Sequence, residues 1–228
     1  MPPVLLTAIP FEPNVDDLIK RLRLAPDSSE ADDLRRLVEQ ARSVARPKAM
    51  YKVCCIDERA SDGIVVDGIK LTSRVLAANT AVVHRVFPFI ATCGIEIEEW
   101  SKSLGDMLLG FYADAIKEAA LRVAIRAACE HMEKSLRLEN VSAMNPGSLK
   151  DWPIEEQRPL FNLLGDPQEA IGVALTESYL MFPVKSVSGL RFASEVKFEN
   201  CQLCPRKVCQ GRRAPFDPIL AKEKYGLG

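Results

Sequence analysis

The chain has 228 residues, of which 47% are hydrophobic and 27% are charged. This composition is typical of a globular protein that is large enough to bury a core without disulfides. Thirty basic residues against 31 acidic ones leave a net charge of −1, so no overall field recruits nucleic acid or an anionic membrane.

The cysteines and the N-terminus indicate the compartment. The first 13 residues contain four prolines and no charged n-region, and no apolar run approaches the length of a membrane span. We therefore expect no signal peptide, no membrane helix and a cytoplasmic location. Seven cysteines, an odd number, do not resemble a secreted disulfide framework. They predict free thiols, some of which could hold a metal.

Helical signals dominate the start of the chain. Residues 1–13 are expected to form an extended arm, and Asn14 is placed to cap a short helix through Leu24. A capping box that begins at Ser29 opens a second helix, which ends before Pro47.

After Met50 the pattern alternates, which predicts strands. The expected elements are a hairpin whose strands flank the loop Asp57–Gly63, a helix over 73–81 and a strand over 86–92. A long, alanine-rich helix capped by Asp106 is expected over 106–138, because apolar residues recur on one face and charged ones on the others.

The remaining elements complete a single domain. Asp151-Trp152-Pro153 opens a helix to about Leu164, and strands are expected over 171–175 and 187–196. The absence of repeats and linkers predicts one α+β domain over 1–197, followed by a cysteine-bearing tail over 198–228 whose cysteine stretch shows no periodicity. The two histidines, at 84 and 131, are assigned no role.

The segment 141–195 has the pattern of a ligand-facing segment. In Asn145-Pro146-Gly147-Ser148 the proline fixes φ and the glycine permits positive φ, so the backbone can turn tightly and present its N–H groups. In Lys185-Ser186-Val187-Ser188-Gly189 two hydroxyls and a lysine are placed to donate hydrogen bonds into a shallow groove. The alternative is an ordinary turn followed by an ordinary strand.

Three cysteines in the tail, Cys201, Cys204 and Cys209, lie within nine residues and could converge on one ion. Nearby arginines and a lysine would stabilise thiolates. An iron–sulfur cluster, a zinc ion and unliganded or redox-active thiols all fit this pattern. A fourth ligand would come from elsewhere; the candidates are Cys54, Cys55 and Cys93.

Residues 159–164 read PLFNLL, residues 171–178 read IGVALTES and residues 186–189 read SVSG. This stretch resembles the C-terminal activation domain of vitamin B12-dependent methionine synthase, in which a helix with LFxLL precedes LTES and SVSG segments. The resemblance implies a curved α+β module with a twisted antiparallel sheet. It also implies a module that binds S-adenosylmethionine, caps the corrinoid and permits reductive methylation of cob(II)alamin.

The resemblance implies a groove along 142–148 and 185–191, in which three side chains differ from the family's pattern. The family's loop reads RPAPGY, and aligning its Pro-Gly with Pro146-Gly147 places Ala143 at the arginine and Ser148 at the tyrosine. The tyrosine that follows SVSG-x is Arg191 here. The implied S-adenosylmethionine and corrinoid groove residues are Asn145, Pro146, Gly147, Ser148, Glu177, Ser178, Lys185, Ser186, Ser188, Gly189 and Arg191.

Three functions follow from these features. The first is a stand-alone reactivation protein for a corrinoid methyltransferase, with S-adenosylmethionine as methyl donor and cobalamin carried by a partner. It would be a component of methionine synthase activity and could receive electrons from a reductase. The second is an iron–sulfur electron-transfer partner of a corrinoid protein that does not bind S-adenosylmethionine, and the third is a scaffold with neither ligand nor metal. None involves nucleic acid or a membrane.

Overall fold

In a computed structural model that describes residues 1–194, 198–209 and 211–226, eight strands form one antiparallel sheet and two form a separate hairpin. The sheet strands are β1 (Val4–Leu6), β2 (Lys48–Tyr51), β3 (Cys54–Ala60), β4 (Gly63–Val66), β5 (Ile69–Thr72), β6 (Arg85–Thr92), β7 (Val141–Met144) and β10 (Ser186–Ala193). The hairpin strands are β8 (Ala174–Leu175) and β9 (Met181–Phe182).

Strand β6 is the centre of the sheet. β2 and the start of β3 pair with one side of β6, and β10 pairs with the other side from Ser186 opposite Thr92 to Phe192 opposite Val86. β10 in turn pairs with β7, so that Arg191 lies directly opposite Ala143. The segments expected around 142–148 and 185–191 are therefore neighbours.

Eight α-helices surround the sheet in the described residues. They are α1 (Val15–Leu22), α2 (Ser29–Val44), α3 (Arg74–Asn79), α4 (Ile95–Lys102), α5 (Met107–Leu136), α6 (Gln157–Leu164), α7 (Pro167–Ile171) and α8 (Pro218–Tyr225). Asn14 and Asp106 cap α1 and α5 through their side chains, as the sequence predicts.

The two faces of the sheet are covered by different helices. Small residues let α5 lie close to one face, where Ala49 and Ala91 pack against Ala124 and Ala128. On the other face β2 and β6 present Met50 and Ile90 to residues of α6 and α7. Alternate residues of a strand point to opposite faces, so each strand serves both cores. The prediction of an α+β fold with an antiparallel sheet crossed by a long helix is confirmed.

Part of the tail belongs to the main core. Phe198, Leu203, Ala221 and Tyr225 are buried in the same cluster as Trp152, Leu190 and other sheet residues. In the described residues, the cysteine stretch of the tail is a loop that begins with one 3₁₀ turn. The tail contains the 3₁₀ turn Asn200–Leu203 and α8, which Asp217 caps and Pro218 starts at a position that needs no N–H donor.

Three boundaries differ from prediction. The expected strand over 171–175 is preceded by helix α7, which takes in Ile171, because the Asp166 side chain accepts from Glu169 N–H and Pro167 starts the helix. The expected loop over 57–63 is mostly strand β3, which continues to Ala60 before the turn. The cap of α2 is Ser28 and not Ser29.

Two further differences concern the ends of the sheet. The arm over 1–13 contains β1, which pairs with β2. β10 ends at Ala193, and the last residues of the strand predicted over 187–196 lie partly outside the described residues. No helix in the described part of the chain is long and apolar enough to cross a membrane.

Candidate functional site

The two predicted groove segments meet where β7 ends. The Asn145 side chain follows β7 and donates from Nδ2 to the carbonyl oxygen of Ser188 on β10, at 2.7 Å. Gly189 has no room for a side chain, because a Cβ there would lie 2.5 Å from Asn145 Nδ2, 2.8 Å from the Met144 carbonyl oxygen and 2.8 Å from the Phe89 ring. The glycine of the SVSG segment therefore allows Asn145 to close over the strand.

The turn after β7 has the predicted shape but not the predicted exposure of its N–H groups. Gly147 has a φ of +80°, and the N–H of Ser148 donates to the Asn145 carbonyl at 3.1 Å. The N–H of Gly147 donates to the carbonyl of Trp152 at 2.8 Å, and Pro146 is buried. The expectation that this turn presents these N–H groups to a ligand is wrong, because the loop closes on itself and uses both donors.

The two hydroxyls of the SVSG segment are also used inside the protein. Ser188 Oγ is buried and donates to Gln157 Oε1 at 3.0 Å, while Ser186 Oγ lies 2.9 Å from Thr92 Oγ1 and 2.7 Å from the Pro183 carbonyl. A hydroxyl has one proton to donate, so neither serine donates into a groove in this structure. That part of the prediction is wrong.

Lys185 is placed by an ion pair. Its Nζ lies 2.8 Å from Asp114 Oδ2 on α5, and its side chain is 23% exposed. The lysine thus joins the start of β10 to the long helix.

A cleft of about 420 Å³ lies between the sheet, α5 and the tail. Asn145 and Arg191 of the predicted site line it. Arg191 is 8% exposed; its Nη2 lies 3.0 Å from Glu133 Oε1 and its Nη1 contacts the sulfur of Cys129. Burial raises the pKa of the Cys129 thiol, and the Glu133 carboxylate acts in the same direction while Arg191 opposes both.

The predicted groove is divided in two. Gly147 and Ser148 line a separate cleft of about 1110 Å³ together with Cys204, Arg206 and other residues of the tail. Asn145 and Arg191 line the smaller cleft, so the turn and the strand do not face one common space.

Glu177 and Ser178 lie elsewhere in the described structure. Both are exposed at the turn between β8 and β9, where Ser178 Oγ lies 3.2 Å from Thr176 Oγ1. Neither lines either of the two clefts. Gln157 connects their hairpin to β10, because its Nε2 donates to the Tyr179 carbonyl at 2.8 Å while its Oε1 accepts from Ser188.

The tail cysteines lie in a loop that Arg212 holds together. Its guanidinium donates to the carbonyls of Cys201 and Ala214 at 3.2 Å and of Cys204 at 3.3 Å. Burial alone would raise the pKa of the Cys201 thiol, but the backbone N–H groups of Arg213 and Ala214 and the positive charges of the arginines hold that pKa below its ordinary value.

The three predicted metal ligands are not assembled into a site. Cys201 and Cys204 are partly buried and Cys209 is exposed. Cys54 and Cys93 are buried in two different core clusters. Within the described residues, no three His, Cys, Asp or Glu side chains are arranged to hold a metal ion. The metal site stays a prediction.

Several cleft residues were missed by sequence reasoning. Glu133, Cys129 and Glu199 were not selected as site residues, and Arg213 was noted only as a basic neighbour of the tail cysteines, because helix α5 and the tail reach the cleft only through the fold. Gln157 did carry a signal. It occupies the same helical stripe as Leu160, Phe161 and Leu164, and a polar residue on a buried face requires partners.

Comparisons with known proteins give a family match for part of the chain and a fold match for most of it. Residues 148–199 match the model of the vitamin B12 dependent methionine synthase, activation domain. A solved structure described as the MetH reactivation domain bound to AdoHcy has the same fold, with a TM-score of 0.60 at 15% identity over 86% of this chain and 80% of that chain. A comparison of the sequence with curated proteins finds no match. The resemblance to an activation domain is confirmed for the matched segment and for the fold.

Proposed function

We propose that this protein supports reactivation of a corrinoid-dependent methionine synthase or a related methyltransferase, with S-adenosylmethionine as methyl donor. The observation that carries the proposal is the position of the matched segment. Residues 148–199 include α6, the β8–β9 hairpin and β10, and their Val187, Arg191 and Glu199 line the cleft. The similar structure holds AdoHcy, which is what S-adenosylmethionine becomes after it gives up its methyl group.

The small cleft suits a compound of this kind. Its volume, about 420 Å³, falls within the range of small-molecule sites, and its lining mixes apolar side chains with five charged ones. Phe89, Ile125 and Val187 supply apolar surface, while the pair of Arg191 and Glu133 supplies fixed charge. The small side chain of Ala143 leaves this space open on the β7 side.

The chemistry assigned to this chain is positioning. Methyl transfer from a sulfonium needs the donor to be held in line with its acceptor, and no proton needs to be moved by the protein. A cobalamin carried by a partner polypeptide would supply the acceptor. The residues of this chain would bind the donor, orient it and limit the access of water. We assign the protein the role of one component of a methyltransferase system.

The partner is a corrinoid-binding polypeptide, recognised across a protein–protein surface, and an electron would come from a reductase. Calorimetry with the full chain tests the donor site, first with S-adenosylmethionine and then with a methyltransferase domain loaded with cob(II)alamin. Absence of binding to both would contradict the proposal.

A matched pair of variants localises the site. Ala143→Phe places a ring in the cleft beside Arg191 without removing a hydrogen bond, so S-adenosylmethionine binding should be lost while the protein stays folded. Ser178→Ala changes a predicted site residue that lies outside the cleft, and binding should be unchanged. Binding that survives Ala143→Phe would place the ligand elsewhere.

The second candidate is an electron-transfer module in which an iron–sulfur cluster on the tail performs the function. It is favoured by the lowered pKa of the Cys201 thiol, because a thiolate is the form that binds iron. Anaerobically purified protein would then be brown, with iron and sulfide in near-equal amounts and an EPR signal on reduction. Colourless, iron-free protein would exclude this candidate.

A further inference from the structure

The tail forms one wall of the small cleft. Its residues Glu199 and Arg213 line the cleft together with Ala143 and Arg191 of the sheet. Glu199 forms a parallel bridge with Ala143 on β7, so its backbone is fixed beside the strand. The N–H of Phe198 donates to Ser142 Oγ at 2.7 Å and fixes the preceding residue in the same way.

Arg213 is held at this wall by two contacts. Its Nε lies 2.9 Å from Glu199 Oε2, and its backbone N–H donates to the sulfur of Cys201 at 3.4 Å. The neighbouring Arg212 holds the carbonyls of Cys201, Cys204 and Ala214. The backbone is therefore constrained on both sides of the Arg213 side chain, while that side chain itself remains 57% exposed.

The cleft carries two ion pairs of different character. The Arg191–Glu133 pair has its arginine side chain 10% exposed, so this pair is a fixed part of the wall. The Arg213–Glu199 pair has a well-exposed arginine, and such pairs contribute little to stability. Glu199 is held more firmly, because its side chain is 19% exposed and also accepts from the Gln202 N–H. The Glu199 carboxylate is therefore a fixed acceptor, whereas the exposed Arg213 guanidinium can turn toward a ligand group at small cost.

The Arg213–Glu199 pair, with one adaptable donor and one fixed acceptor, favours a particular class of ligand. A simple anion would be attracted by Arg213 but repelled by Glu199, and a simple cation would be attracted by Glu199 but repelled by Arg213. A zwitterion that carries a carboxylate and an ammonium group on one carbon satisfies both at once, since the guanidinium can bind the carboxylate in a fork and the Glu199 carboxylate accepts from the ammonium.

We propose that Arg213 and Glu199 of the tail bind the α-amino-acid end of the ligand in the small cleft. This inference rests on the proposed function, because it takes an S-adenosyl compound as the ligand. It gives the tail a ligand-binding role that is independent of its thiols. The charged groups beside Ala143 then come from the tail and not from β7.

Two ligands separate this role from a structural one. S-Adenosylhomocysteine carries the amino-acid end, and 5′-methylthioadenosine has the same nucleoside without it. By calorimetry on the full chain at low salt, Arg213→Gln should weaken S-adenosylhomocysteine binding by about tenfold, because a hydrogen bond to a charged group is lost. The same variant should leave the affinity for 5′-methylthioadenosine unchanged.

Arg206→Gln is the matched control, because Arg206 is an exposed arginine of the same tail that lines the other cleft. It should change neither affinity. An Arg213→Gln variant that binds S-adenosylhomocysteine normally would overturn this inference alone, and so would one that weakens both ligands equally. If the unchanged protein binds neither ligand, the proposed function fails and this inference fails with it.

Discussion

The small cleft has a rigid wall and an adaptable wall. On β10, Arg191 is buried and is committed to Glu133 and Cys129, and the nearby Gly189 has no room for a side chain. On the tail, Arg213 is largely exposed and is held by an ion pair that a ligand can replace. A buried glycine and a buried arginine of β10 thus fix the shape of the cleft, whereas the tail, which the sequence marked out for its cysteines, supplies an exposed and adaptable charge.

The largest expected effect is on the rigid wall. Gly189→Ala should lower the free energy of unfolding by about 3 kcal/mol, since two of the three atoms that crowd the new Cβ belong to a backbone carbonyl and an aromatic ring. Urea unfolding at equilibrium measures the change. An effect below the error of the method would show that this wall also adapts.

Gly110→Ala is the control for this experiment. Gly110 lies within α5, where a Cβ added to it would meet no atom within 4 Å. Alanine favours helix over glycine, so this variant should stabilise the protein by about 1 kcal/mol. Opposite signs at the two glycines would establish that the cost at Gly189 comes from contact.

A smaller effect is expected where the rigid wall meets the hairpin. Gln157→Leu leaves the Ser188 hydroxyl and the Tyr179 carbonyl without their partner, and this should cost about 2 kcal/mol of unfolding free energy. Gln168→Leu, at an exposed position of α7, should stay within about 0.5 kcal/mol of the unchanged protein. Equal effects at both positions would mean that the buried bridge contributes nothing specific.

The smallest expected effect concerns the tail, and it is a difference in the rate at which cysteine thiols are alkylated. Burial raises the pKa of Cys54 and of Cys93 to about 12, whereas the pKa of Cys201 lies below its ordinary value. The thiolate is the reactive form, so as pH rises Cys201 should be alkylated before these two in chelator-treated native protein. Mass spectrometry after brief iodoacetamide treatment from pH 6 to pH 9 measures the order. Faster labelling of Cys54 or Cys93 would contradict the assignment.

The same pKa values predict the direction in which the free energy of unfolding changes at high pH. In the unfolded chain Cys54 and Cys93 lose their protons near the ordinary cysteine value, about 8.5, while in the folded protein they keep them until about pH 12. The folded state therefore binds more protons between these values, and its stability should fall as pH rises through this window. Cys93→Ala should reduce that slope in urea unfolding measured across the same pH range.

Local signals predicted most of the elements. The caps at Asn14 and Asp106 and the apolar stripe of α5 are short-range patterns, and they correctly located the helices. The apolar run over 171–175 misled because the cap at Asp166 and the proline after it start a helix before the run begins. Both the type and the start of the predicted element were therefore wrong at Ile171, where a helix-start signal precedes a strand-like apolar run.

The site was less predictable for a different reason. The pairing of β7 with β10 joins residues that are far apart in the sequence. No pattern within either strand predicts that Arg191 lies opposite Ala143. The sequence predicted that the hydroxyls of Ser186 and Ser188 would bind a ligand. It could not show that Thr92 and Gln157, which belong to other elements, are their hydrogen-bond partners. Whether a polar side chain is free or committed is decided by tertiary contacts.

The bridge between Ala143 and Glu199 has a consequence for the behaviour of the chain in solution. β7 pairs with β10 on one side, and the start of the tail lies along its other side. A strand whose outer N–H and C=O groups are open is a template for pairing with another molecule. The tail therefore also acts as a cover for a sheet edge, and its removal by proteolysis would create a surface on which molecules of this protein could aggregate.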